Sequence, residues 1–155
     1  MTRPALNRDF LDMIQELNRA EVEYLVVGAH AMAVHGVPRA TGDFDIWIRP
    51  SRENAKRVLC ALNEFGAPLA AHGISLDDLE KPDIVYQIGL PPRRVDLMTG
   101  ISGVTFDDAW SSRVETKFAG RSIHVIGHRE LIRNKRASGR TKDLVDLEIL
   151  EEGPA

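Results

Sequence analysis

The run Asp43-Phe-Asp-Ile-Trp-Ile-Arg49 constrains the fold more than any other part of the chain. Phe44, Ile46 and Ile48 alternate with Asp43, Asp45, Trp47 and Arg49, the period of a strand with one apolar and one polar face. Both aspartates then leave the same face with Cα atoms about 6–7 Å apart. Neither has a basic residue at the adjoining positions. Two carboxylates held that close repel each other, and a fold that keeps both ionised ordinarily supplies a cation. Mg²⁺ takes one or two carboxylates together with substrate phosphates. Asp-x-Asp alone also describes a solvated strand face, so its surroundings decide between the readings.

Those surroundings favour chemistry. Upstream, the short apolar run Tyr24–Val27 has strand character and meets Gly28, and residues 29–35 carry helix formers up to Gly36. A glycine at a strand-to-helix junction lets a phosphate approach the backbone, where the N–H groups of the first turn point at it. Downstream, Arg94, Asp96 and Met98 share one face of the strand Arg93–Met98, with Val95 and Leu97 on the other. If the two acidic strands are neighbours, Asp96 joins Asp43 and Asp45. Three carboxylates then suffice for two metals about 4 Å apart, the spacing that serves in-line phosphoryl displacement.

Around this centre, Phe10, Leu11, Ile14 and Leu17 predict an amphipathic helix over residues 7–20. Ser51 is placed to cap a helix running to Phe65 and closed by Gly66, with Ala55, Val58, Leu59 and Leu62 as its buried stripe. Ser75–Asp78 and Thr105–Asp108 have the spacing of capping boxes. Strands are expected at Ile84–Leu90, joined to Arg93–Met98 through Pro91-Pro92, and at residues 121–126. Helices Glu130–Ala137 and Lys142–Leu150, split at Ser138-Gly139, close the chain. This is one α/β (α+β) domain of 155 residues with a mixed, twisted sheet and helices packed on it. Its core spans about 10–150, with C-terminal helices at about 128–150.

Composition removes several classes. No apolar run approaches the roughly 20 residues needed to cross a bilayer, and the N-terminus lacks a signal peptide's apolar stretch. Cys60 is the single cysteine, which excludes an intrachain disulfide and a Cys-rich zinc site; it is expected as a small packing residue or an inert thiol. The expected compartment is the cytoplasm. A net charge of −3 exerts no global pull on nucleic acid. Locally, six Lys/Arg stand between His128 and Lys142 against Glu130 alone, and Asp143–Glu152 then carries only acids, a contrast suited to a local phosphate ligand.

The stretch VVGAHAMAVHGVPRATGDFDIWI resembles the signature of the DNA polymerase β-like nucleotidyltransferases: a strand, a Gly-Gly or Gly-Ser turn, a helix, and Asp-x-Asp on the next strand. The third acid in VDLMTG and the late segment LIRNKRASGRTKDLVDLEIL look like the minimal nucleotidyltransferases that include AbiEii-type toxins and related toxin–antitoxin proteins. The resemblance runs from about Phe10 to Leu150. It implies a nucleotidyltransferase fold. It also implies a metal-dependent enzyme that moves a nucleoside monophosphate from a nucleoside triphosphate, with ATP the expected one, to an acceptor hydroxyl.

On that resemblance Asp43, Asp45 and Asp96 are the catalytic residues and the ligands of Mg²⁺ or Mn²⁺. Gly28, Ala29, His30, Arg39, Thr41, Lys135, Arg140 and Lys142 are the nucleotide-binding positions, and Asp143 and Asp146 match polar positions of the late segment. The acceptor is expected to be a protein or RNA, and a cognate antitoxin is the implied partner. The chain departs from the pattern at Ala29, where the family has Gly or Ser, so a phosphate-binding hydroxyl is absent. Two other readings stay open: a non-catalytic nucleotide- or partner-binding module of the same fold, and a metal-dependent phosphohydrolase with water as acceptor. Oligomeric state is not specified by the sequence.

Overall fold

The computed structural model describes residues 8–37, 43–90 and 93–152. Asp9 opens helix α1 (Arg8–Arg19) and Arg19 stands in its last turn, both matched to the helix dipole. Phe10, Met13, Ile14 and Leu17 form its buried face. Strand β1 (Tyr24–Val27) follows, then helix α2 (Gly28–Val34) and strand β2 (Asp43–Ile48). Helix α3 (Arg52–Phe65) starts where Ser51 accepts the Asn54 N–H and stops at Gly66 in the left-handed conformation.

Helix α4 (Leu69–His72), absent from the sequence reading, precedes α5 (Leu76–Glu80). Ser75 and Asp78 close a complete capping box at the start of α5. Then come β3 (Val85–Ile88), β4 (Arg94–Met98), α6 (Phe106–Ser111), β5 (Val114–Phe118), β6 (Arg121–Val125), α7 (His128–Ser138) and α8 (Thr141–Glu152). Pro91-Pro92, the expected join of β3 to β4, lies outside the described residues. Strand β5 is a second element that the sequence reading lacks. It pairs antiparallel with β6 through a tight turn in which Ala119 and Gly120 both have positive φ.

The six strands form one mixed sheet in the order β3-β4-β2-β1-β6-β5. β2 runs antiparallel to β1 and parallel to β4. Phe44, Ile46 and Ile48 are fully buried, and the Phe10 ring stacks on Phe44 with centroids 4.9 Å apart. Trp47 shares the parity of the acids yet is core: Phe106 meets it edge-on at 5.0 Å. Cys60 is exposed on α3, contrary to the expected packing role, because the buried stripe of α3 runs through Ala55, Val58, Ala61 and Leu62. No helix among the described residues is long and apolar enough to cross a membrane.

The β1–β2 pair is held from outside by one buried amide. Asn54 Oδ1 accepts the Glu23 N–H at 2.8 Å, and its Nδ2 donates to the carbonyls of Glu23 and Arg49, both at 3.0 Å. It thereby satisfies backbone groups just before β1 and just after β2. Replacing Asn54 with Ala removes the partner of the Glu23 N–H and of the Arg49 carbonyl, while the Glu23 carbonyl keeps the Arg49 N–H, and the loss costs roughly 1–3 kcal/mol. Urea denaturation of Asn54→Ala against the parent chain measures this directly; a loss within error of zero would refute the clamp.

Candidate functional site

The site starts from strand register. In the parallel pair β2–β4, Asp43 lies opposite Arg94 and Asp45 opposite Asp96. The three acids therefore leave one face of two adjacent strands, as the spacing predicted. On the other side of β2, Val27 lies opposite Asp45 and Gly28 follows immediately. Gly28 has φ +69°, and a Cβ there would fall 2.3 Å from Asp45 Oδ2. This position therefore needs glycine for two independent reasons, the backbone angle and the carboxylate pressed against it.

The cation that β2 lacks comes from its neighbour. Arg94 Nη2 donates to Asp43 Oδ2 at 2.7 Å, and Arg94 Nε lies 3.0 Å from Asp96 Oδ1, an ion-pair contact without hydrogen-bond alignment. Asp96 itself is buried. Burial, reinforced by the nearby charges of Asp96 and Asp43, pushes the Asp45 carboxyl up to about 6; Arg94 opposes the shift and a hydrogen bond with Asp96 adds to it. Among the described residues Arg94 is thus the guanidinium that Asp43 and Asp96 share, and Asp45 between them carries the raised pKa.

Among the described residues, no group of three or more His, Cys, Asp or Glu side chains is arranged to hold a metal ion as it stands. The donor set nevertheless suits a hard divalent cation, because it offers carboxylate oxygens only and carries more negative charge than Arg94 balances.

The other expected positions divide. His30 is surrounded by aromatic rings, meeting Phe44 at 4.9 Å, Phe10 at 5.6 Å and Phe118 at 6.1 Å, each edge-on. Burial holds its pKa below the usual range, against a backbone hydrogen bond at Asp43. Ala29 occupies the first turn of α2 and is half-buried. Arg39 and Thr41 lie outside the described residues.

Lys135 is buried on α7, with Nζ 3.2 Å from Asp143 Oδ1 and 3.2 Å from Asp146 Oδ2. Asp143 Oδ2 also accepts Ser138 Oγ at 2.6 Å and Arg140 Nε at 2.7 Å. Burial opposes ionisation of Asp143, but the hydrogen bonds from Ser138, Arg140 and Lys135 hold its pKa at about 2. The late segment is therefore folded into an internal ion cluster that joins α7 to α8, while Lys142 stands exposed at the start of α8. Sequence reasoning overlooked Arg94 as a partner of the acids, although its parity with Asp96 already placed it on their face.

No protein-family profile matches the chain, and no curated protein matches it by sequence. Solved structures do match. A protein of Thermotoga maritima assigned as a nucleotidyltransferase superposes with TM-score 0.60 at 18% identity, over 98% of this chain and 94% of that one. The lincosamide antibiotic adenylyltransferase LnuA, solved with lincomycin bound, gives 0.56 at 13% identity over 94% and 96% of the two chains. ANT(2″)-Ia, solved with adenylyl-2″-tobramycin, gives 0.55 at 12% identity over 92% and 87%. The fold is that of the nucleotidyltransferases.

Two outcomes follow for the site. Gly28→Ala forces a side chain into the Asp45 carboxylate in a left-handed backbone costing about 1–2 kcal/mol by itself. It is expected to lower the melting temperature, and an unchanged melting curve would refute the packing. Asp45 gives a pH signature. The native state retains a proton that the unfolded chain, titrating near 3.8, has released, so stability falls as pH rises from 3.8 to about 6. Asp45→Asn removes that slope and is more stable than the parent above about 6; parallel stability–pH curves for the two proteins would contradict the shift.

Proposed function

We propose that this chain is a nucleotidyltransferase that transfers a nucleoside monophosphate from a nucleoside triphosphate to an acceptor hydroxyl. The observation carrying this reading is the convergence of Asp43, Asp45 and Asp96 from two adjacent strands, with Asp45 packed against the glycine of the strand-to-helix turn. A bond forms between the acceptor oxygen and the α-phosphorus, the bond to the bridging oxygen breaks, and pyrophosphate leaves.

Asp43, Asp45 and Asp96 would hold Mg²⁺ or Mn²⁺, which when bound supplies the positive charge such a displacement needs on the phosphate oxygens. Asp96 accepts the proton of the attacking hydroxyl. Gly28 leaves room for the Asp45 carboxylate against the backbone at the strand-to-helix turn, where the triphosphate would approach. Lys135 acts at one remove: fastened to Asp143 and Asp146, it fixes the α7–α8 pair, whereas Arg140 holds Asp143 through Nε while most of its side chain stays exposed to a ligand.

The acceptor in this reading is a protein or RNA, and ATP is the donor. The resemblance of the late segment to toxin–antitoxin nucleotidyltransferases extends the proposal to a cognate antitoxin as partner. LnuA and ANT(2″)-Ia, solved with lincomycin and with adenylyl-2″-tobramycin, make an antibiotic-like hydroxyl the first small acceptor to try. A non-catalytic module of the same fold is the second reading, favoured by Ala29 in the turn and by Arg94 seated between the acids.

The deciding experiment incubates the protein with α-labelled nucleoside triphosphates, Mg²⁺ or Mn²⁺, and host lysate or candidate small acceptors. Label is expected in an acceptor together with released pyrophosphate, falling by about a hundredfold or more in Asp43→Asn/Asp45→Asn. Triphosphate binding with no transfer and no pyrophosphate would establish the non-catalytic module instead. Release of label without an acceptor would mark a hydrolase.

A further inference from the structure

The outer side of α8 carries chemistry that the proposed reaction does not use. Its inner side is fixed by buried Asp143, Asp146 and Leu150, with the Leu150 carbonyl 3.0 Å from His128 Nε2. Outward, Leu144, Val145 and Ile149 are 51%, 52% and 40% exposed. A single exposed apolar residue requires no account. Here, however, three of the five large exposed hydrophobic residues among those described fall on one helix.

Within that surface Lys142, Val145, Ile149 and Glu152 follow one another at spacings of three, four and three, so they line a single stripe. The spacing is the same read from either end, with Leu147 at its midpoint. The charges are opposite at the two ends, a cation toward the N-terminus of α8 and an anion toward its C-terminus. Among the described residues neither Lys142 nor Glu152 forms an ion pair within the chain.

We infer that this stripe pairs with the α8 stripe of a second copy, antiparallel, about a two-fold axis at Leu147. Val145 then meets the partner's Ile149, and Lys142 meets the partner's Glu152, each contact occurring twice. Parallel pairing would set like charge on like, so electrostatics selects the antiparallel arrangement. Leu144 lies about 100° further round the helix, beyond Glu148, and takes no part in the stripe. A contact in which one patch is its own complement closes a C2 dimer without further growth. The opposite charges at the two ends of the stripe, rather than its spacing, are what make it complementary to itself. The contact spans only three turns of helix, so the dimer is small and exchanges rapidly.

Sedimentation velocity on the full chain at low salt, from low to high micromolar concentration, tests the inference without reference to catalysis. A concentration-dependent monomer–dimer equilibrium is expected, weakened by Lys142→Glu by about tenfold or more. Glu152→Lys should do the same, and the double variant K142E/E152K should restore the dimer. Val145→Ser removes apolar area without altering charge and must also weaken it, whether or not the charge variants remain folded by circular dichroism. A monomer at every concentration, a dimer indifferent to Val145→Ser, failure of the folded double variant to recover, or association only with a different protein would each overturn the proposal.

Discussion

Pairing β2 with β4 in parallel register sets Asp45 beside Asp96, and the rest of the site depends on that alignment. Strand side chains alternate between faces, so a slip of one residue would turn Asp96 into the layer occupied by Phe44 and Ile46. The buried apolar residues prevent it. Val95 and Leu97 on β4 and Phe44 and Ile46 on β2 are all nearly inaccessible to solvent, and a one-residue slip would place charge among them. The hydrophobic face therefore positions the acidic one, which explains how three repelling groups remain together in the folded chain.

Two charge clusters in this molecule solve the same problem differently. In the α7–α8 cluster, acids are matched by cations: buried Lys135 contacts both Asp143 and Asp146, and Arg140 and Ser138 complete the shell of Asp143. The Asp143 carboxyl is accordingly held low, at about 2. Around Asp45, among the described residues, Arg94 contacts Asp43 and Asp96, and the Asp45 carboxyl rises to about 6 instead. The first arrangement is that of a structural tie. The second holds a carboxyl perturbed by burial and by like charge, and perturbed carboxylates of this kind concentrate where ligands are handled.

Much of this was legible in the sequence because the decisive signals are local. Ser51, Ser75 and Gly66 mark helix ends through hydrogen bonds and backbone angles that need no distant partner. The alternation in Asp43–Ile48 fixed which side chains share a face. The elements that escaped are those whose stability is not local. Strand β5 reads Val-Glu-Thr-Lys-Phe, with only partly buried inward residues, and exists because β6 pairs with it across a two-residue turn. Helix α4 is a single turn without a buried side chain. In the site, the acids were evident, whereas the role of Arg94 depends on a strand pairing that spacing alone left conditional. For Lys135, a basic residue in a polar-looking run suggested a phosphate contact, and only the return of α8 shows its ammonium occupied by two buried acids.

Arg94 has a consequence for how the acidic centre behaves when nothing is bound. Because a guanidinium already stands between Asp43 and Asp96, part of the negative charge there is met from within the chain. On the proposed function, a cation binding there would compete with Arg94 for oxygens of Asp43 and Asp96. Its affinity would be net of the ion pairs it displaces, and would respond to whatever else, such as an incoming anion, can accept the displaced arginine.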